Sequence, residues 1–573
     1  MAILLRGGTV FDGRGGDGVL RDVLVRDGKI AEIRAPGAPA DPTDEVIDAT
    51  GKWVTPGFID LHTHYDAEVE ILPGLTESVR HGVTTIAMGS CSLSLAFGDP
   101  TNLADMFCRV EAIPRSTVLP LLEEKMTWNS PGTYFEHLDT LPLGPNVTSF
   151  LGHSTMRMEA MGMARSLSKR VKPNAAELAT MDRRLAEAME AGFLGMSIMT
   201  LPWDKMDGEE FRSRPLPSVF AHWKEYRRFN KVLRARGRIF QGVPNISTKL
   251  NVLLFLWESV GLWRKTLKTT AISFMDIKAD RAVPYLLPPL LTLFNRVLGA
   301  NFRLQALPEV FDLWADGIDL VVFEEFGAGG AALHLQDDAS RAKLFADPAY
   351  RARFHKQWRN KILPRAFHRE LGLCEILACP GDPYLAGKTF GAIAGTRGED
   401  PADTFLDLVA LHGKSLRWYT VMGNDRPKVL DGIMNNRDIL VGFSDAGAHL
   451  RNMAHYNFPL RLLRMAVDRK AMSVGKAVWR LTGEIAEWLG IDAGILEVGR
   501  RADIAVIDPA GLTGQLERAQ EEEMPGFGGL KRMVRRDRAV PAVLVNGKVA
   551  FQDGTFVPAF GTAKGFGRVL RAN

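Results

Sequence analysis

The chain has 573 residues, 46% hydrophobic and 24% charged, enough for two or more domains around large apolar cores. Its 71 basic and 67 acidic residues leave a formal net charge of +4, too even to argue for a nucleic-acid partner, and the basic tracts at 231–238 and 531–538 read as solvated or carboxylate-binding faces. The most apolar runs fall short of a membrane span and carry Glu258 or paired prolines, which argues against a spanning protein.

In chain order, residues 1–53 are short strand candidates punctuated by turn dipeptides such as Asp27-Gly28. The opening MAILLRGG flows into the first strand and has too short an apolar run for an export signal. An apolar strand then runs through VTPGFIDLHTHYD at 54–66 into His62 and His64. Alternate residues of a strand point to one face, so both imidazoles can reach one point at its end, as a metal site requires. Asp60 stands two residues before His62. The next apolar run, 81–92, ends in Cys91, and a third, NVTSFLG, leads to His153.

A helix is predicted over 175–191, with Asn174 as cap, Glu177 three residues on as in a capping box, and Gly192 as stop. Further strand candidates are GFLGMSIM, RIFQGV, TAISFM, NFRLQAL and DILVGF, the last leading into Asp445. With WVTPGFIDL, GVTTIAMG and NVTSFLG they make eight, each followed by a region that can be helical, which predicts an α/β (β/α)8 TIM-type barrel over 54–490. The charged stretch 337–358 reads as one solvated outer helix. From 491 to 573 the pattern returns to short strands with Asn546-Gly547 and Asp553-Gly554 turns, predicting one small β-sandwich built from both termini.

The segment 245–300 fits a barrel least well. In it Leu253, Leu254, Phe255, Leu256 and Trp257 are consecutive, so apolar residues fall on more than one helix face and a second surface must cover them: a partner subunit or the wall of an apolar pocket. Four cysteines, Cys91, Cys108, Cys374 and Cys379, are too few and too irregularly spaced for a disulfide scaffold, which points to a reducing, cytoplasmic setting.

Histidine, histidine, cysteine and aspartate at the ends of separate strands suit a hydrolytic zinc site. With the terminal motifs LLRGGTVFDGRGGDG, GILEVGRRADIAVIDP and VPAVLVNGKVAFQDGTF, they make the chain resemble the amidohydrolase superfamily and, within it, the D-aminoacylase or N-acyl-D-amino-acid deacylase group. The resemblance implies that His62, His64, Cys91 and Asp445 surround zinc, and that Asp445 also serves as general base. It further implies that Lys278 binds a substrate carboxylate and that His153 hydrogen-bonds the substrate or a metal ligand.

The group also carries histidines at the ends of strands 5 and 6. Here those strands read RIFQGVPNIS and TAISFMDIKAD, with none. Asn245 and Asp276 are the available substitutes, and one Zn2+ is expected rather than two. The expected activity is hydrolysis of an N-acylated amino acid, with the D configuration included; the alternatives are a cyclic amide, carbamate or ester hydrolase, or a metal-free binding protein. A small-molecule substrate is expected, and homo-oligomer formation is compatible with the architecture.

Overall fold

The computed structural model describes residues 2–37, 39–245, 249–360 and 365–572. Both termini contribute to one nine-stranded sheet. Its order runs Thr555–Phe556, Lys548–Gln552, Ala542–Val545, Ile504–Ile507, Trp53–Pro56, Ile3–Val10, Val19–Arg26, Lys29–Arg34, with Glu45–Asp48 beside Ile3–Val10. The three dipeptide turns hold positive φ at both residues (Asp27 52° and Gly28 77°, Asn546 48° and Gly547 74°, Asp553 47° and Gly554 90°), the conformation that matches strand twist in a two-residue hairpin. Leu5, Val23, Ile30, Val54, Ile504 and Leu544 bury one face of this sheet together.

The middle of the chain alternates parallel strands with helices. Phe58–Asp60, Val83–Met88 and Asn146–Ser149 form a three-stranded parallel sheet. Leu151–Gly152, Gly195–Met199, Ile239–Val243, Lys268–Ala271, Asn301–Ala306 and Ile439–Val441 form a six-stranded one in that order, parallel throughout. Only Phe150 separates Asn146–Ser149 from Leu151–Gly152, so the first sheet runs on into the second. The first strand also meets the last: Leu61 N–H donates to Gly442 O (3.0 Å) and His64 N–H to Ala446 O (2.7 Å). Strands such as VTTIAM are buried at every residue, the near-continuous apolar character of a parallel sheet covered on both faces.

Three local expectations are refined. WVTPGFIDL divides at Gly57, where a Cβ would stand 2.0 Å from Thr84 Oγ1; the piece before it joins the terminal sheet and the piece after it the parallel one. The sixth strand is Lys268–Ala271 rather than TAISFM; beyond it the register slips, Phe274 N–H donating to Gln305 O (2.8 Å) of the neighbouring strand. The stretch 337–358 is two helices, Asp338–Ala346 and Pro348–Trp358, since Pro348 lacks the N–H that would continue the first. Their inner faces are not solvated: Phe345, Tyr350, Phe354 and Trp358 are buried. They belong to a long excursion between the last two parallel strands, built on an antiparallel sheet of Phe311–Asp316, Arg417–Gly423 and Glu375–Ala378. Its separate core centres on Phe323, Phe405 and Trp418, with Phe323 and Phe405 stacked at 5.6 Å.

The helix Ala175–Ala191 is bounded as its sequence predicts. Asn174 Oδ1 accepts from Glu177 N–H (2.9 Å), Glu177 Oε2 accepts from Asn174 N–H (2.7 Å), and Gly192 closes the helix at φ 94°. Asn174→Ala should therefore lower the stability of the chain by about 1 kcal/mol, readable as a shifted denaturation midpoint at unchanged slope.

Candidate metal centre

The two histidines follow directly on the strand Phe58–Asp60. Asp60 sets their backbone: its Oδ1 accepts from His62 N–H (3.3 Å) and from Ser444 N–H (3.2 Å), and its Oδ2 accepts from the Ser444 hydroxyl. One buried carboxyl thus joins the ends of the first and last parallel strands, and burial pushes it up to about 7. Gly447 completes the joint, with φ 91° and a position where a Cβ would lie 2.5 Å from the His64 carbonyl.

Four ligand atoms converge at this joint. His62 Nε2 lies 3.3 Å from Cys91 Sγ, and Asp445 Oδ1 stands 3.5 Å from His62 Nε2 and 3.4 Å from His64 Nε2. Ligand atoms of His62, His64 and Cys91 all fall within 4.8 Å of one another. The three are buried, and Asp445 Oδ1 is itself buried with no hydrogen-bond donor, so the set has the composition and the unpartnered oxygen that a bound cation would satisfy.

Backbone strain accompanies the convergence. Cys91 (φ 52°), Ser92 (72°), Asp445 (57°) and His449 (49°) occupy the left-handed region, at a cost on the order of 1–3 kcal/mol each for residues with a Cβ. Around Cys91 the turn is held by Ser92 N–H donating to Ser197 Oγ (3.1 Å), Ser197 Oγ–H donating to Gly89 O (2.6 Å), and a Ser92–Ser154 hydroxyl contact of 2.7 Å.

The electrostatics divide the four ligands. Burial drives His62 down to about 3, leaving a neutral ring with a free lone pair. It drives the Cys91 thiol up to about 12, so metal uptake has to displace that proton. Against burial, His64, His62 and His449 hold the Asp445 carboxyl well below the usual carboxylate range. Burial also opposes charge on His64, yet Glu111 and Cys91 raise it well above the ordinary histidine value.

Glu111, the last residue of the helix Pro100–Glu111, is fully buried and has Oε1 2.8 Å from His64 Nδ1. A carboxylate there fixes the ring so that Nε2 faces the cluster, and burial pushes Glu111 up to about 7. Asp204 also reaches about 7 through burial, with His64 and Asp445 as charged neighbours; His449 is lowered by burial beside the same pair. Sequence reasoning missed all three, and Glu111 and Asp204 carry no local signal. His449 closes the SDAGAH turn that Asp445 opens, which is a signal of position alone.

The remaining expected residues lie elsewhere. His153 has both ring nitrogens engaged, Nδ1 with Ser218 Oγ (3.2 Å) and Nε2 with Glu225 Oε1 (3.1 Å), so it braces the helix it opens. Lys278 Nζ stands 3.9 Å from Asp425, and its charge adds to the burial that lowers His368 to about 4. Asp276 is engaged by arginines: Arg426 (2.6 and 2.7 Å) and Arg281 (2.9 Å) donate to its two oxygens. Asn245 N–H donates to Thr200 Oγ1 and Asn251 Oδ1 (2.9 Å each). The strand that should carry the first missing histidine presents Gln241, a buried amide with no hydrogen-bond partner.

An α/β protein with a cluster able to hold a metal ion where two parallel strands meet is the class these features define. The Amidohydrolase family model matches residues 45–211. An uncharacterized protein of Mycobacterium tuberculosis is 47% identical over all of this chain and 95% of its own length. An N-acyl-D-glutamate deacylase of Alcaligenes xylosoxydans is 34% identical over 197 residues, 34% of this chain and 36% of the deacylase. Among solved structures, the N-acyl-D-glutamate deacylase of Bordetella bronchiseptica with zinc and a phosphonate inhibitor superposes with a TM-score of 0.64 at 22% identity, over 100% of this chain and 99% of that one. A D-aminoacylase gives 0.62 at 23% identity, over 99% of each. The chain belongs to the amidohydrolase family, and its structural neighbours are D-aminoacylases.

If Glu111 orients His64, Glu111→Gln should weaken metal binding roughly 10–100-fold while leaving the melting temperature of the metal-free protein nearly unchanged. Titration with a competing chelator measures the first quantity and calorimetry the second.

Proposed function

We propose that the protein is a zinc-dependent amidohydrolase that removes the acyl group from an N-acylated amino acid, with D configuration as the leading case. The observation that carries this reading is the convergence of His62, His64, Cys91 and Asp445 on one point, with a buried Asp445 oxygen awaiting a cation. The likeness to N-acyl-D-glutamate deacylase and D-aminoacylase supports the choice of substrate class. In this reading the two parallel sheets close as one (β/α)8 barrel over 54–490, the ends 1–53 and 491–573 form the companion domain, and the enzyme works in the cytoplasm. One ion is favoured over two, because Asp276 is held by arginines and the fifth strand, Ile239–Val243, carries no histidine.

Zinc held by His62, His64, Cys91 and Asp445 would polarise the scissile carbonyl and acidify a water. Asp445, kept ionised by its histidine neighbours, takes the proton of the attacking water and returns it to the departing amine nitrogen. Glu111 keeps the His64 tautomer fixed, and Asp60 holds both strand ends so that the base does not drift from the histidines. Lys278, only loosely paired with Asp425, supplies the cation for the substrate α-carboxylate. His153 acts as a positioning residue through Glu225 and Ser218.

Purified protein should carry about one zinc per chain, the content of a single catalytic site with three or four protein ligands. Two tightly held ions would remove the mononuclear reading. Asp445→Asn should lose about 10²- to 10⁴-fold in kcat and keep most of its metal, whereas His62→Ala should lose both. Near-normal turnover by Asp445→Asn would rule out its role as base.

Paired D and L N-acyl amino acids of increasing acyl length, assayed beside cyclic amides, test the substrate class through kcat/KM. Hydrolysis of cyclic amides alone would overturn it. Should an apolar pocket wall hold the acyl chain, kcat/KM should climb with length up to the limit of about 0.8 kcal/mol per buried methylene.

A further inference from the structure

The apolar segment 249–300 presents an outward side whose composition is unlike a solvated helix surface. In the helix Val283–Val297, Leu291 is fully buried, while Leu286, Leu293 and Val297 repeat at helical spacing on the other side and are exposed, Leu286 to 67%. On the helix Lys249–Ser259, Leu253 and Trp257 are likewise exposed, one turn apart. The loop that follows carries Leu262 and Trp263, the latter 82% exposed. Gly261 N–H donates to Leu298 O (3.3 Å) and Thr266 Oγ1–H to Gly299 O (2.8 Å), which sets the Leu262–Trp263 pair beside the Val297 end of the first helix. Leucines, tryptophans and Val297 are thus exposed on both helices and on the Leu262–Trp263 loop, where a water-facing surface normally carries charge.

A cationic groove borders this face. A cavity of about 390 Å³ is lined by Arg227, Lys231, Arg234, Arg264, Lys265 and Glu258, five cations against one carboxylate. Glu258 is fully buried and already spent, accepting from Arg227 Nε (2.9 Å), Trp223 Nε1 (3.2 Å), Asn230 Nδ2 (3.3 Å) and Arg234 Nη2 (3.3 Å). Arg234 is more than nine-tenths buried, yet its Nε has no hydrogen-bond acceptor. Lys231 and Lys265 have no ion pair among the described residues. Arg264 joins groove to face, donating to the carbonyls of Trp257 (2.5 Å) and Val260 (3.1 Å).

We propose that this face is a docking surface for an anionic phospholipid bilayer, with Trp257, Leu262, Trp263 and the Leu286–Leu293–Val297 stripe entering the interface and the groove taking a lipid phosphate. Tryptophan and leucine beside lysine and arginine are the composition that holds a protein in the plane of a charged membrane surface. The cations supply the charge complement that a neutral apolar partner would not need. A second copy docked by this same face would bring cation-rich grooves together with no free carboxylate in either groove to offset them.

The test is co-sedimentation of the full-length protein with vesicles of phosphatidylcholine alone or with about 30% phosphatidylglycerol. The protein should pellet at least about tenfold better with the anionic vesicles, and added salt should release it. Lys231→Gln with Lys265→Gln, two residues outside any ion pair, should reduce partitioning on the order of tenfold. Leu262→Ser with Trp263→Ser should abolish it, with melting temperature and hydrolytic activity retained in both variants. Failure to pellet, or pelleting indifferent to lipid charge and salt, overturns the proposal. So does a concentration-dependent dimer that the Trp263→Ser variant splits, which would give the face to a second copy. Saturable binding of inorganic pyrophosphate in the groove without vesicle binding would overturn it in favour of a free phosphate ligand.

Discussion

The joint at Asp60 is the constraint on which the site depends. Its carboxyl takes hydrogen bonds from His62, just past the first parallel strand, and from Ser444, 384 positions away at the start of the loop after the last. Together with the backbone hydrogen bonds from His64 to Ala446 and from Asp445 to His62, that tie keeps Asp445 against the histidines. The cost is a carboxyl buried almost completely, acceptable only because backbone N–H groups and a hydroxyl satisfy it.

Around that joint the structure accumulates features unfavourable for stability. Cys91, Ser92, Asp445 and His449 adopt left-handed backbone, and Asp445 Oδ1 is buried without a hydrogen-bond donor. Left-handed residues and unpartnered buried polar atoms occur elsewhere in the molecule too, but here they gather on the convergent ligand set, where strain with a function is expected. A bound cation would remove the largest of these deficits, the unpartnered Asp445 oxygen among three nitrogen and sulfur ligands. Metal binding and local folding are then coupled, because the ligands are organised only in the folded chain.

Two regions depart from a plain alternation of strands and helices, in opposite ways. The excursion between the last two parallel strands brings its own core, with Trp418 and a stack of phenylalanines, and, with Leu373, Leu377, Tyr384 and Leu411 as exposed exceptions, buries most of its large apolar residues. The segment 249–300 does not shield them. Its helices bury one stripe against the strands and turn another outward beside a cationic groove, so the chemistry of that face is set by what it meets outside the chain.

Much of the local structure was legible in the sequence because its determinants are local. The Asp-Gly and Asn-Gly turns, the capped helix after Asn174 and the buried parallel strands follow from backbone sterics and periodicity within a few residues. His62 and His64 shared a face for the same reason, since strand alternation alone dictates it. The consecutive apolar run 253–257 predicts a second covered surface, whereas Leu253 and Trp257 are exposed on the folded chain. Tertiary structure alone decided which distant groups met. Glu111 reached His64 because a helix ended there, Asp204 entered the field of Asp445 from another loop, and Asp276 was claimed by Arg281 and Arg426, the latter 150 residues away. Such pairings depend on the closing of long loops, and no residue within reach of a local pattern encodes them.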